Sequence, residues 1–291
     1  MRRKNSIKWG SVIFGILWVP IACETDVTND LNIADSEPRL VLQGGIERNL
    51  VNPLPKQQVR LTTTANFLDD VAQPIVEDAV VTIFDGVQDY PCRYAGNGVY
   101  ETDALVPSVN TEYTITINWE GDTYVATDNL NPVPRFNDLY FIFEEETLFS
   151  DEGYFLQIDT QDPPGIPNFY YYRVARNGEF IIVPDPGNST VLVVSDEFFD
   201  GRFRTGVNPN DEVSFEVGDV AIAQQLAISE VYHDYLFLLF EQTGNAGLSF
   251  VGNPPPASIR GNIINLTDNT KRALGFFYAA EVEEGSLVIT E

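Results

Sequence analysis

Histidine and cysteine, the side chains that most often serve as neutral-pH general bases, thiol nucleophiles and soft metal ligands, are scarce in this sequence. His233 is the only histidine, which disfavours zinc or iron sites built from several histidines and also Ser-His-Asp or Cys-His catalytic arrangements. We interpret His233 as a structural residue. The sequence also contains no Walker loop and no dinucleotide-binding fingerprint. We therefore expect a protein that is not an enzyme and that carries no resident cofactor.

Carboxylates are the one abundant reactive group, because 43 Asp and Glu stand against 17 Lys and Arg, for a formal charge of −26. Such a charge repels nucleic acid, which we exclude as a partner. Calcium prefers oxygen donors and is an open alternative for three acidic clusters. These clusters are Asp69-Asp70, Asp196-Glu197 with Asp200, and Asn210-Asp211-Glu212. None has EF-hand spacing, so solvated loop acids are the simpler interpretation. A carboxylate pair that hydrolyses carbohydrate or peptide also stays open.

A run of four aromatic residues, from Phe169 to Tyr172, could present ring faces to a ligand. Alternate residues of a strand point to opposite faces of a sheet, so Tyr170 and Tyr172 share one face. We name Tyr170 and Tyr172 as the candidate surface for a sugar, a peptide or a protein partner. The same alternation places at least half of the run in the core.

The first 22 residues have the pattern of a lipoprotein signal peptide. The basic residues at its start are Arg2, Arg3, Lys4 and Lys8. An apolar run over residues 12–22 follows, with about half of the roughly 20 residues that span a bilayer. The run ends at Ala22-Cys23, which resembles a bacterial lipobox although Pro20 departs from the usual leucine. The resemblance implies cleavage before Cys23 and lipid attachment to it, whereas the alternative is an ordinary secretory signal.

Residues 23–37 are acidic and lack hydrophobic periodicity, and we interpret them as a flexible tether. Acidic residues directly after a lipidated cysteine resemble the export signal that sends Bacteroidota lipoproteins to the outer face of the outer membrane. We therefore expect a protein that is lipid-anchored in the outer membrane and faces the cell exterior. The alternative is that a tether is polar whatever its destination.

The rest of the chain is predicted to be mainly β. Residues 38–130 contain seven short strand-like runs separated by turns, which predicts an immunoglobulin-like or prealbumin-like sandwich. In the run Thr111–Trp119, alternate apolar residues share one face. Residues 131–291 predict a second β-rich domain, either a sandwich or a barrel. Pro132 and Pro134 stiffen the segment between the two domains.

One helix is predicted in the second domain, over residues 229–242. Ser229 is a suitable N-cap, and apolar residues recur at the spacing of one helical face. We expect Tyr235, Leu236 and Leu239 to be buried against strands of this domain. Outside the helix, Cys92 lies in a strand-like context, where a small buried hydrophobe is the simplest interpretation of a cysteine. With Cys23 lipidated, no internal disulfide is expected.

Several short motifs along the chain together resemble a known family. In order, they are the lipobox, Gly44-Gly45 in a first strand, Gly98-Val99-Tyr100, the Tyr-rich helix, Pro255, Gly261-Asn262-Ile263 and Leu274-Gly275-Phe276-Phe277. This arrangement is similar to domain-of-unknown-function family 4249, lipoproteins of Bacteroidota.

The resemblance implies a function without identifying a site. Lipoproteins of this kind are often encoded beside TonB-dependent outer-membrane receptors, which implies an accessory role in nutrient uptake and a TonB-dependent receptor as partner. A free-standing surface binding or adhesion module is the main alternative. A hydrolase acting on carbohydrate or peptide is the remaining one. No catalytic or ligand-binding residue is implied by the resemblance.

Overall fold

The computed structural model of the protein describes residues 37–65, 73–146, 152–181, 192–244 and 259–291. The predictions about the signal peptide (1–22), Cys23, the tether as far as residue 36 and the acids Asp69-Asp70 lie outside these ranges. Within the described ranges, no helix is long and apolar enough to cross a membrane.

The described chain is mainly β, as the sequence predicts. Its strands form two sheets, and it contains one helix. The strands are β1 (Leu40–Asn49), β2 (Gln57–Thr63), β3 (Val80–Phe84), β4 (Asp89–Gly96), β5 (Val99–Thr102), β6 (Thr111–Trp119), β7 (Asp122–Leu130), β8 (Phe136–Glu144), β9 (Gly153–Gln161), β10 (Phe169–Arg176), β11 (Glu179–Ile181), β12 (Val193–Ser195), β13 (Phe203–Val207), β14 (Val220–Ile228), β15 (Ile264–Asn265) and β16 (Leu274–Val288). The helix is α1 (Glu230–Gly244), which follows β14 directly.

Strand β16 lies between β14 and β1 in the larger sheet, whose order is β11-β10-β14-β16-β1-β2-β5-β4-β3-β6-β7-β15, with β12 beside β10. Its first part, Leu274 to Val282, pairs in parallel with β1, and its last part, from Glu281, pairs antiparallel with β14. The second sheet has the order β13-β9-β8. The predicted division near residue 130 stays a prediction, but β16 supplies a strand to both predicted regions.

The first region folds as a sandwich around one apolar core. Strand β4 pairs with β5 on one side and with β3 on the other, so the sheet turns from one layer to the next there. Leu42 of β1 and Ile83 of β3 belong to the same fully buried cluster, with Tyr113, Ile115 and Ile117 of β6. The alternation that predicts a shared face along β6 is therefore confirmed in the structure.

Two glycines allow the close backbone contacts that hold β16. A Cβ on Gly275, which has a φ of +86°, would lie 1.9 Å from the carbonyl oxygen of Leu42, and one on Gly261 would lie 1.5 Å from the Gly275 carbonyl oxygen. The side chain of Asn262 accepts a hydrogen bond from the Phe277 N–H (3.0 Å) and donates one to the Phe277 carbonyl (2.8 Å). The two C-terminal sequence motifs are therefore one packing unit.

Helix α1 lies on one face of the strands β10, β14 and β16. It is capped by Ser229, whose Oγ accepts a hydrogen bond from the Tyr232 N–H at 3.2 Å. Of the three residues predicted to be buried, Leu236 is buried and Tyr235 and Leu239 are half-buried. Leu236 packs in a cluster with Tyr171 of β10. The smaller sheet covers the opposite face of these strands, so the region has three layers.

Candidate functional site

The two tyrosines predicted to form a ligand surface are buried. Tyr170 and Tyr172 are each only 1% exposed, because they point from β10 toward the smaller sheet. This corrects the expectation of rings open to a sugar or peptide, since almost no surface of either side chain is exposed to solvent. The hydroxyl of Tyr170 donates a 2.7 Å hydrogen bond to Asp162 Oδ1, and the Tyr172 hydroxyl accepts one from Arg204 Nη1 at 3.0 Å.

His233 and Cys92 have structural surroundings. The imidazole of His233 lies 5.2 Å from the ring of Phe169, measured between centroids, and its Nδ1 lies 3.1 Å from the carboxylate of Asp234. Burial raises the pKa of the Cys92 thiol to about 12, which keeps it protonated and unreactive at neutral pH. Cys92 packs against the core of the first sandwich as a small hydrophobic side chain.

A mostly buried charged cluster lies on the helix side of the larger sheet. Arg173 donates two hydrogen bonds to the carboxylate of Glu47, at 2.9 and 3.2 Å, and Tyr278 donates a third at 2.7 Å. Burial opposes ionisation of Glu47, but the charge and hydrogen bonds of Arg173 and the Tyr278 hydroxyl outweigh it and hold the pKa of this carboxyl below its ordinary value. Tyr232 of the helix stacks on Tyr278 with 4.8 Å between ring centroids. This cluster stabilises the packing of helix and sheet.

Other buried glutamates of the sheet are also paired with cations. Glu281 contacts Arg48 and accepts a hydrogen bond from the Val133 N–H at 2.8 Å. Glu283 binds Arg135 at 2.8 Å. Glu101 of β5 contacts both Lys56 and Arg93. We call Glu47, Glu101, Glu281 and Glu283 the paired glutamates. Their arrangement is that of structural ion pairs.

Three aspartates meet where strands of both sheets end. Asp162 directly follows β9, whereas Asp196 and Asp200 lie between β12 and β13. Each of the three offers a carboxylate oxygen, and these oxygens all lie within 4.8 Å of one another. We call these residues the Asp triad. Within the described ranges it is the one group of three or more acids, histidines or cysteines with this geometry.

The Asp triad is held by a network of neutral donors. Asp162 Oδ1 accepts from the Tyr170 hydroxyl, and its Oδ2 accepts from the Gly201 N–H at 2.9 Å. Asp200 Oδ1 accepts from the Gly165 N–H at 2.7 Å. Burial raises the pKa of Asp162, and these hydrogen bonds offset the effect only in part. No Lys or Arg pairs with the triad in the parts of the chain that the structure describes.

The sequence predicts two members of this triad and misses the third. Asp196 and Asp200 stand in one of the three acidic clusters, but Asp162 is 34 residues before Asp196 in a proline-rich loop. Its position at the end of a strand is the signal that could have identified it. In another predicted cluster, Asn210 and Glu212 form a turn in which the Glu212 N–H donates to Asn210 Oδ1.

The loops that carry the triad also expose apolar side chains. Phe198, between β12 and β13, is 80% exposed, and Ile166 of the β9–β10 loop and Phe203 of β13 are more than half exposed. The two loops contact each other through the Gly165–Asp200 hydrogen bond. We call Ile166, Phe198 and Phe203 the apolar loop surface. Exposed apolar side chains of this size are candidates for contact with another protein.

An open cavity of about 450 Å³ lies next to this region. Its lining includes Tyr172, Val194 and Arg204, together with residues 205–208. The guanidinium of Arg204 stacks over the ring of Phe199 at 4.0 Å, so it is held in place at the wall. The volume is within the range of small-molecule sites.

Comparison with known proteins identifies one family. The model of a family described as a domain of unknown function, DUF4249, matches residues 25–286. No curated protein matches the sequence.

Proposed function

The chain belongs to the DUF4249 family, and we propose that it is a non-enzymatic lipoprotein of the outer membrane that faces the cell exterior. The observation that carries this proposal is the Ala22-Cys23 junction, which ends a short apolar run behind a basic segment. Several acyl chains on Cys23, at about 0.8 kcal/mol per buried methylene, would anchor the protein stably. The family match begins at residue 25, so the family domain and the proposed anchor adjoin.

Lipid attachment is tested by mass spectrometry of the N-terminal peptide of protein extracted from membranes. We expect a peptide that begins at acylated Cys23, and we expect Cys23→Ser to abolish acylation and membrane retention. External protease treatment of intact cells should degrade the anchored protein, because the proposal places it outside. An unmodified cysteine on a mature, membrane-free protein would contradict the anchor, and protection from protease would contradict exposure.

We further propose that the protein is an accessory subunit of a TonB-dependent nutrient-uptake system. The resemblance to lipoproteins encoded beside such receptors supports this role. The apolar loop surface supplies a candidate contact, because its three residues are exposed and the loops that carry Ile166 and Phe198 are hydrogen-bonded to each other. Aromatic residues at the centre of an interface contribute a large share of binding energy.

The receptor contact is tested by detergent extraction of the lipidated protein and identification of proteins that co-purify. We expect a large TonB-dependent barrel with the native protein, and recovery reduced about tenfold or more with Phe198→Ser. Val87→Ser is the matched control, because Val87 is 87% exposed in a turn of the first sandwich. Recovery of a solitary monomer would contradict the accessory role, and an equal loss with both variants would contradict the assigned surface.

The cavity beside Arg204 favours a second candidate function, a free-standing surface module that binds a small molecule. A guanidinium held over Phe199 can bind a carboxylate or another anionic group of a ligand. This alternative predicts binding to a ligand array without any receptor, and reduced binding by Arg204→Met. Ligand binding that requires the receptor would instead favour the accessory role.

A further inference from the structure

We propose that the Asp triad is a calcium site that joins the β9–β10 loop to the β12–β13 loop. The site is independent of lipid attachment and of any receptor. It involves Asp162, Asp196 and Asp200, which come from two loops that each run between the smaller and the larger sheet.

The ligand atoms suit a hard cation. Three carboxylates offer oxygens within 4.8 Å of one another, and two oxygens that bind one Ca²⁺ at 2.3–2.6 Å are separated by no more than about 5 Å. The cluster contains neither histidine nor cysteine, so it has no soft ligand for zinc or copper. Waters can complete the coordination on the solvent side, because Asp200 is exposed.

The burial of two members distinguishes the triad from solvated loop acids. Asp196 is only 4% exposed, and its Oδ2 is inaccessible to solvent and has no hydrogen-bond partner. Leaving a buried carboxylate oxygen without a donor or a cation is costly. Both oxygens of the equally buried Asp162 act as hydrogen-bond acceptors. A divalent cation would supply the positive charge that these oxygens lack.

A second unpartnered oxygen belongs to a residue that is hydrogen-bonded to Asp196 through the backbone. Asn168, just before β10, has an inaccessible Oδ1 without a hydrogen-bond partner, and its carbonyl accepts a hydrogen bond from the Asp196 N–H at 3.0 Å. Amide oxygens are common calcium ligands. Asn168 is therefore the residue to examine as a fourth ligand.

The position of the site predicts a structural role. Strands β12 and β10 belong to the larger sheet, whereas β9 and β13 belong to the smaller one. A cation held by Asp162 and Asp196 would connect the ends of these strands. Removing it should loosen the loops that carry Phe198 and Ile166, and so should also alter the apolar loop surface.

The experiment uses the full-length protein in detergent, stripped with a chelator and titrated with CaCl₂ alone. We expect calorimetry to report one Ca²⁺ per chain, with a dissociation constant of about 10⁻⁴ M as in extracellular modules. At about a hundred times that concentration, thermal unfolding should shift upward by about 5–10 °C. Absence of binding and of any thermal shift would overturn the proposal. An equal shift with MgCl₂ would overturn the assignment to calcium.

Two variants distinguish direct binding of Ca²⁺ by a carboxylate from attraction of Ca²⁺ by the negative charge of the loop. Asp200→Asn changes an exposed side chain, so the protein should fold, yet it should weaken Ca²⁺ binding by about tenfold or more because a ligand charge is lost. Glu197→Gln is the matched control, since it removes the same charge from an exposed residue of the same loop. We expect it to leave binding within about twofold. Equal weakening in both variants would mean that Ca²⁺ responds only to the net charge of the loop, which would contradict a built site.

Discussion

Buried acids occur in two regions of this protein, and the regions differ in what surrounds the carboxylates. Each paired glutamate of the larger sheet contacts an arginine or a lysine, as Glu47 does with Arg173. The Asp triad of the loops has only neutral donors among the described residues, chiefly Tyr170 and the N–H groups of Gly165 and Gly201. The negative charge of a carboxylate is therefore balanced by a cation of the same chain in the first region, and it has no such partner in the second.

The difference separates structural acids from a candidate binding site. A buried charge is tolerated when an opposite charge and hydrogen bonds replace the water it has lost. The paired glutamates meet this condition without any ligand. Among the described residues the triad has no opposite charge, and the proposed Ca²⁺ would supply one. In a chain with 43 acidic residues, clusters of acids alone say little about function. A buried carboxylate that lacks a cationic partner is the more informative feature.

The largest expected effect is at the paired glutamates. Glu47→Gln leaves the mostly buried guanidinium of Arg173, whose side chain is 19% exposed, without its counter-charge, and we expect the free energy of unfolding to fall by about 3 kcal/mol. Urea denaturation followed by tryptophan fluorescence measures this loss. The double variant Glu47→Gln with Arg173→Met should recover most of it, because no buried charge remains. A loss below about 1 kcal/mol in the single variant would show that the pair is solvated.

Asp128, in β7 of the larger sheet, is a buried acid whose protonation changes with pH in a range that can be measured. It is buried with no cation paired to it in the described chain, and burial raises its pKa to about 6 although Ala279 N–H and Ser229 donate hydrogen bonds. An ordinary aspartate in the unfolded chain ionises near pH 3.9. The folded state therefore holds its proton more tightly, and this contribution to stability is complete below pH 4 and is lost as pH rises through 6.

The expected loss from Asp128 is about 3 kcal/mol between acidic and neutral pH. Other acids titrate in the same interval, so the measurement is the difference in unfolding free energy between the native protein and Asp128→Asn, followed from pH 4 to pH 8. The variant should gain relative to the native protein as pH rises. A difference that does not change with pH would contradict the raised pKa.

A smaller effect is expected at the hydroxyl that supports the triad. Tyr170→Phe keeps the buried ring but removes the donor to Asp162, and we expect a loss of about 2 kcal/mol in the free energy of unfolding without added calcium. Tyr172→Phe is the matched variant, because its ring is equally buried but its hydroxyl partner is Arg204. Thermal unfolding of the two variants compares them. Equal losses of stability in the two variants would show that Asp162 does not depend on the Tyr170 hydroxyl more than other buried groups depend on theirs.

The smallest effect is expected at the exposed side of a paired glutamate. Arg93 is 69% exposed at its side chain, and Lys56 remains beside Glu101 when Arg93 is removed. We expect Arg93→Ala to cost no more than about 1 kcal/mol. Raising the salt concentration should shrink the effect further. A loss as large as that of Glu47→Gln would contradict the expectation that an exposed ion pair contributes less to stability than a buried one.

Sequence patterns predict the local elements of this fold because those patterns act over a few residues. The alternation along Thr111–Trp119 identifies a strand with one buried face, and Ser229 with the apolar spacing after it identifies α1. The alternation also shows that Tyr170 and Tyr172 share a face. It does not tell which face is covered, since both sides of β10 receive a layer. That is why the predicted surface is buried.

The candidate site could be predicted only in part, because its members come from distant positions. Glu47 and Arg173 are 126 residues apart, and Asp162 approaches Asp196 only after β9 and β12 take their places in different sheets. A local acidic cluster points to Asp196 and Asp200 but cannot show that Asp196 is buried with an unpartnered oxygen. Burial and pairing depend on the packing of layers.

The sequence alone determined the β class, the helix and its cap, the negative charge and the motifs that indicate the family. Each of these depends on residue type or on spacing within one element. Three other features depend on the packing of distant segments: β16 pairs with both β1 and β14, the tyrosines of β10 are internal, and three loop aspartates meet. The reason is that backbone conformation follows from neighbouring residues, whereas the surroundings of a charged side chain follow from which distant strands pack around it.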